Sequence, residues 1–257
     1  MEQREIEGTS FITGQWPPDP EKTTLVFIHG AGGSSVLWEN QVEGLKDRVN
    51  TVALDLPGHG NSRGPGKSSV ADYANLVMEF INRAGAPRPV PVGLSMGGAI
   101  TQQLVLDHGR NFPAAVLMST GAKLKVLPLI FEKIQTDFPG FIDLMGKFSA
   151  SEKTPAKKTA RIFEDTAKRE PEVVYNDFKA CDAFDVMDRL GAIELPVLVI
   201  TGSDDKLTPP KYGERLASDI KDAVRVHIED AGHMLPVEKP EELNRSLLKF
   251  LSEQGLA

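Results

Sequence analysis

The 257-residue sequence predicts an α/β protein, a mostly parallel sheet with helices on both faces, interrupted by a block of helices. Three observations carry that prediction. Short apolar runs alternate with helix-period stretches from residue 24 to residue 119, and again from residue 196 onward. One run leads into Gly93-Leu94-Ser95-Met96-Gly97, a serine on a strand-to-helix turn, with glycines where bulky side chains would collide. Between the two alternating regions, residues 123–193 carry no strand pattern.

Taken in order, residues 3–15 read as a short antiparallel hairpin ended by Pro17-Pro18-Asp19-Pro20. Thr24 to Ile28 is continuously apolar, as expected of a strand buried on both faces. It runs into the glycine-rich turn His29-Gly30-Ala31-Gly32-Gly33, and a helix is predicted from about Ser35. Asn50 to Leu54 is the next strand and ends in Asp55-Leu56-Pro57-Gly58-His59-Gly60-Asn61-Ser62. Ser69 caps a helix whose buried face is Tyr73, Leu76, Val77, Phe80, Ile81 and Ala84. Val90 to Leu94 and a helix from Met96 form the serine turn, and Ala114 to Ser119 is another strand. The break follows. Helical spacing recurs around Leu127–Phe138, Phe141–Phe148, Thr159–Ala167 and Glu172–Cys181, and seven of the twelve phenylalanines fall in this stretch. Most should pack the small helical unit, with a few facing a cleft. The strands Pro196–Thr201 and Val224–Ile228 then flank a helix at Lys211–Ser218. A last helix opens with Pro240 at a favoured first-turn position. The expected organisation is a core of residues 1–121 and 194–257 with a helical cap at 122–193.

Composition narrows the function. Hydrophobic and charged fractions of 40% and 25% are those of an ordinary globular protein. A net charge of -7 and the lack of a basic stretch argue against nucleic acid as a partner. The cluster Lys153 to Arg161 reads as a solvated helix face. Cys181 stands alone, which rules out an internal disulfide and cysteine-pair metal sites, and it reads as an inert packed thiol. The first twenty residues have no signal-peptide pattern, and no apolar run reaches transmembrane length. A cytoplasmic protein without a membrane partner is expected.

A serine hydroxyl needs a base to become a nucleophile, and the base needs an orienting acid. In an open parallel sheet such groups gather in loops at the carboxyl ends of strands. Two later loops carry them: Gly202-Ser203-Asp204-Asp205-Lys206-Leu207-Thr208-Pro209 and Glu229-Asp230-Ala231-Gly232-His233-Met234. The chain order is thus Ser95, an aspartate, then His233. No His and carboxylate cluster has metal-ligand spacing, and the turn at 29–33 lacks the lysine and acid of a phosphate loop. No cofactor or metal is expected.

These motifs, with the His29-Gly30 turn and Asp55-x-Pro57-Gly58-His59-Gly60-x-Ser62, resemble the α/β-hydrolase fold superfamily over essentially the whole chain. The likeness is to its serine hydrolase branch with a helical cap after the sixth strand. It implies an eight-stranded sheet, with Ser95 as nucleophile, His233 as general base and acid, and Asp205 as the orienting acid; Asp204 is the fallback. The oxyanion donors would be the N–H groups of Met96 and of Ala31, with Gly32 as the alternative to Ala31. His29 and His59 resemble structural turn histidines. The substrate-binding set expected is Trp38, Leu127, Phe131, Phe148 and Met234, around a modest apolar acyl or alcohol group. The partner would be a small-molecule ester or lactone, and the chain a monomer or homodimer. Carboxylester hydrolysis is the first reading. Enol-lactone hydrolysis and C–C cleavage of ring-fission products share the layout, and a ligand-sensing receptor that retains the triad is the reading of a different class.

Overall fold

A computed structural model describes residues 1–257. The strands are β1 (Glu2–Ile6), β2 (Thr9–Thr13), β3 (Thr24–Ile28), β4 (Asn50–Leu54), β5 (Pro89–Leu94), β6 (Ala115–Met118), β7 (Val197–Gly202) and β8 (Ala223–Ile228). They form one sheet in the order β1-β2-β4-β3-β5-β6-β7-β8. The β1–β2 hairpin joins β4 antiparallel, and every pairing from β4 to β8 is parallel. The central strands are buried throughout, whereas the edges β1 and β8 expose charged residues such as Glu2, Arg4 and Arg225, which discourages pairing with another chain.

The helices are α1 (Glu39–Leu45), α2 (Val70–Ala84), α3 (Met96–His108), α4 (Pro128–Thr136), α5 (Phe138–Phe148), α6 (Lys157–Thr166), α7 (Pro171–Ala183), α8 (Pro210–Asp219), α9 (Leu235–Glu238) and α10 (Pro240–Glu253). Alternate strand residues point to opposite faces, so two cores form. On one face α2, α3 and α8 pack over Val26, Ile28, Leu117 and Val199. On the other, α1 and α10 cover Leu25, Phe27, Val92 and Ile200. Ser69 caps α2 by accepting the Asp72 N–H at 3.1 Å, as its spacing predicts.

Helices α4 to α7 are inserted between β6 and β7 and hold a small core of Ile134, Phe141 and Val174. The insert is also anchored to both main cores, through Ala180 and Cys181 on one face and Ile162 on the other. The helix expected from Ser35 starts as a 3-10 turn at Ser35–Trp38 before α1, and the four-residue α9 was not foreseen.

Candidate active site

The sheet presents its strand ends to the insert, and the three predicted loops meet there. Ser95 follows β5 at φ 57 and ψ -116, a backbone conformation that costs a residue with a side chain on the order of 1–3 kcal/mol. The turn around it is close-packed. A side chain at Gly93 would meet the Gly97 carbonyl oxygen at 2.0 Å, and one at Gly97 would meet the Ile28 carbonyl oxygen at 2.1 Å. The Ser95 N–H donates to the Met118 carbonyl at 3.0 Å, and its own carbonyl accepts the Thr120 hydroxyl at 2.8 Å. The elbow is therefore fixed from both sides, and Met96 opens α3, whose N-terminus favours negative charge.

His233 and Asp205 are buried, and His233 Nδ1 lies 2.9 Å from Asp205 Oδ2. Thr208 completes this pair. Its hydroxyl donates to Asp205 Oδ2 at 2.8 Å and lies 3.1 Å from His233 Nδ1, and the N–H groups of Leu207 and Thr208 donate to Asp205 Oδ1 at 2.9 Å each. Burial by itself would push the Asp205 carboxyl up; the His233 charge and these donors outweigh it and hold it below the usual carboxylate range. Asp204 points elsewhere, to the hydroxyls of Ser151 and Ser203.

The histidine loop is held by a buried carboxylate that its sequence did not signal. Glu238, on α9, accepts the N–H of Gly232 at 3.0 Å and of Met234 at 2.9 Å. It also accepts the Ser151 N–H at 2.9 Å and the Thr154 hydroxyl at 2.7 Å from the insert. His233 N–H in turn donates to the Ser149 carbonyl at 2.8 Å. The basic residues of the Lys153–Arg161 stretch are exposed, as expected of a solvated face, and from the surface they reach the core: Lys153 pairs with Asp230, Lys158 with the Glu238 carbonyl, and Arg161 with Glu39.

The other turn histidines are fastened. His29 donates from Nδ1 to the Gly30 carbonyl at 2.8 Å and accepts the Leu56 N–H on Nε2 at 3.1 Å, so it is neutral. Burial, then the neighbouring His59, puts its pKa well below the ordinary value. His59 faces two acceptors, the Pro57 carbonyl at 3.1 Å and Asp177 Oδ2 at 2.8 Å, so both ring nitrogens carry protons. Burial opposes that charge, but Asp177 overcomes it and raises the pKa.

Ser95, Ala31 and His233 line one cavity of about 240 Å³ beneath the insert. Its walls are apolar, with Leu37 and Leu94 from the core and Ile130, Phe141, Met145 and Phe178 from the insert. Of the expected substrate-binding residues, Leu127 and Met234 lie on this cavity; Trp38, Phe131 and Phe148 do not. Trp38 is fully buried against Phe27, Phe131 packs edge-on to Tyr175, and Phe148 is 45% exposed to solvent. Helical spacing places these aromatic rings on a helix but leaves open which neighbour they meet. Cys181 also lines the cavity, and burial, reinforced by Asp177 and Asp182, pushes its thiol well up, consistent with an inert packed group. Gly32 does not line the cavity, because its N–H is committed to Asp177 Oδ2 at 2.8 Å. Gly30, Ala31 and Gly33 of the same loop do line it, and Gly30 lies against Ser95, whose Cβ is 3.2 Å from where a Gly30 side chain would begin.

The sequence profile of the α/β hydrolase fold family matches residues 23–240. A thermophilic esterase of known structure is 33% identical, with a TM-score of 0.83, and the match covers 100% of this chain and 98% of that one. The uncharacterized hydrolase YugF of Bacillus subtilis is 28% identical over 254 residues, 91% of each chain. The enol-lactonase of Burkholderia xenovorans LB400 shares the fold at TM-score 0.85 and 22% identity, over 98% of this chain and 100% of its own. The chain belongs to the α/β-hydrolase fold family and is a hydrolase of that fold.

Proposed function

We propose that the protein is a carboxylesterase, cleaving small uncharged esters through Ser95, His233 and Asp205, with the helical insert acting as a cap. The observation that carries this reading is the convergence of a strained serine elbow and a buried, carboxylate-oriented histidine on one apolar cavity. His233 takes the Ser95 proton as the serine oxygen attacks the acyl carbon. The imidazolium that forms is stabilised by Asp205, which Thr208 keeps in place. The N–H groups of Met96 and Ala31 hold the oxyanion, a contribution of about 3–4 kcal/mol per donor in comparable sites. His233 then protonates the departing alcohol, and water releases the acyl-enzyme by the same steps.

The preference for a neutral substrate rests on how the lysines at the cavity are used. Lys125 pairs with Asp182 at 3.4 Å and Lys206 with Glu152 at 2.8 Å, so neither is left unpaired for an acidic substrate. The apolar walls favour an alkyl or aryl acyl group, each buried methylene adding about 0.8 kcal/mol while room lasts.

A steady-state series of p-nitrophenyl esters of increasing acyl length tests the reading, with Ser95→Ala as control. The expected result is turnover that peaks at one short acyl length and vanishes in folded Ser95→Ala. Full activity in that variant overturns the assignment. Serine-dependent turnover of lactones alone would replace the ester by its cyclic form, and tight ligand binding without turnover would favour a sensor.

A further inference from the structure

The loop that follows β3 is held by the insert. Asp177, on α7, is fully buried and receives three donors. Its Oδ2 accepts the Gly32 N–H and the His59 Nε2–H, each at 2.8 Å, and its Oδ1 accepts the Tyr73 hydroxyl at 2.7 Å. A second hold lies two residues on, where the Ser34 hydroxyl donates to Asp165 Oδ2 of α6 at 2.6 Å. Gly32 sits at φ +69, pressed against Thr166 and Val174 of the insert, and the Gly33 N–H closes the turn on the Gly30 carbonyl at 3.1 Å.

We propose that Asp177 is a positioning residue for the oxyanion-binding loop, so that the insert, and not the core alone, holds that loop in its working shape. The inference rests on the serine-hydrolase reading above. Drawing the Gly32 N–H to the insert fixes the turn whose preceding residues, Gly30 and Ala31, line the cavity with Ser95, and Ala31 is the donor residue of that reading. A bare carboxylate so close to a developing oxyanion would oppose it. The doubly protonated His59 supplies the compensating charge, so the hold adds little net negative potential at the hole. Ser95, Asp205 and His233 all sit in the turns and loops that follow core strands; here a residue from the insert completes their setting.

Asp177→Asn keeps the shape but offers one acceptor oxygen to three donors. Two ligands separate its effects: an alkylboronic acid, which forms a tetrahedral oxyanion-like adduct with the serine, and the matching neutral alcohol, which does not. For the folded variant kcat should fall about tenfold, a fraction of the roughly 100- to 1000-fold cost of removing an oxyanion donor outright. Boronate affinity should fall in parallel, while KM and alcohol affinity stay within about twofold of wild type. Unchanged kcat and boronate affinity overturn the proposal, and so does a uniform loss across both ligands and KM, which marks general loosening of the site. Where Asp177→Asn does not fold, Ser34→Ala carries the test by cutting the second hold. It should weaken boronate binding about fivefold, the loss expected for one hydrogen bond of about 1 kcal/mol, with KM unchanged; no change in boronate affinity overturns the proposal. Ser95→Ala in the same assay keeps the two readings apart. If it retains turnover the serine mechanism fails; if it is dead while Asp177→Asn is wild-type, only the positioning role fails.

Discussion

At the scale of single residues, the site is defined by atoms that have no freedom to be elsewhere. Ser95 holds its strained backbone in a close-packed turn, where Gly93 and Gly97 have no room for a side chain and Thr120 bonds its carbonyl. Thr208 does comparable work at the other end. It gives Asp205 both a backbone and a side-chain donor and so aims the carboxylate at His233 Nδ1. Thr208→Val retains the shape and the N–H but loses the hydroxyl. One ordinary hydrogen bond is worth about 1 kcal/mol, so kcat for the preferred ester should fall roughly fivefold with KM unchanged. A wild-type kcat would show that the backbone donors alone orient Asp205.

At the scale of elements, two turns at the ends of β3 and β4 are locked together by a pair of histidines in opposite protonation states. The rings of His29 and His59 lie 4.8 Å apart, and only one of them carries charge. In the unfolded chain both titrate near the ordinary value of about 6.5. The His29 pKa is lowered in the fold, so its contribution to stability is present above about pH 6.5 and is lost as pH falls through the lowered value. The His59 pKa is raised, so its contribution is complete below about pH 6.5 and is lost as pH rises through the raised value. Denaturant midpoints measured from acid to alkaline pH should therefore decline on both sides of neutrality. His59→Gln should flatten the alkaline decline and His29→Gln the acid decline that sets in below about pH 6.5. An unchanged alkaline slope in His59→Gln would falsify the assignment of that limb to this pair.

At the scale of the whole molecule, the insert is joined to the sheet at both functional loops. Asp177 ties it to the turn after β3, and Glu238 ties it to the histidine loop after β8. Four donors converge on the Glu238 carboxylate, from Ser151, Thr154, Gly232 and Met234. A glutamine there cannot accept all four. Hydrogen bonds to a buried charged group contribute about 1.5–3 kcal/mol, so Glu238→Gln should lower unfolding free energy by about 2–3 kcal/mol and reduce kcat through a looser His233. Urea denaturation monitored by fluorescence gives the first quantity, and ester turnover the second. A variant as stable as wild type would show that solvent reaches these donors.

Pattern along the chain suffices for the alternation of strands and helices, the place of the helical interruption, and the three loops that carry a serine, an aspartate and a histidine to one end of the sheet. These follow from short-range physics, since apolar runs of strand length, helix-period faces and glycine turns are written in neighbouring residues. Packing of the whole fold was needed to place groups far apart in the chain. It separated Asp205 from Asp204 and turned Gly32 toward Asp177, leaving Ala31 on the cavity. It also removed Trp38, Phe131 and Phe148 from the cavity in favour of Phe141, Phe163 and Phe178. Asp177 and Glu238 look in the sequence like ordinary acids on helix-period stretches. Their importance arises because burial strips them of water, and a buried carboxylate must find its donors wherever the fold brings them.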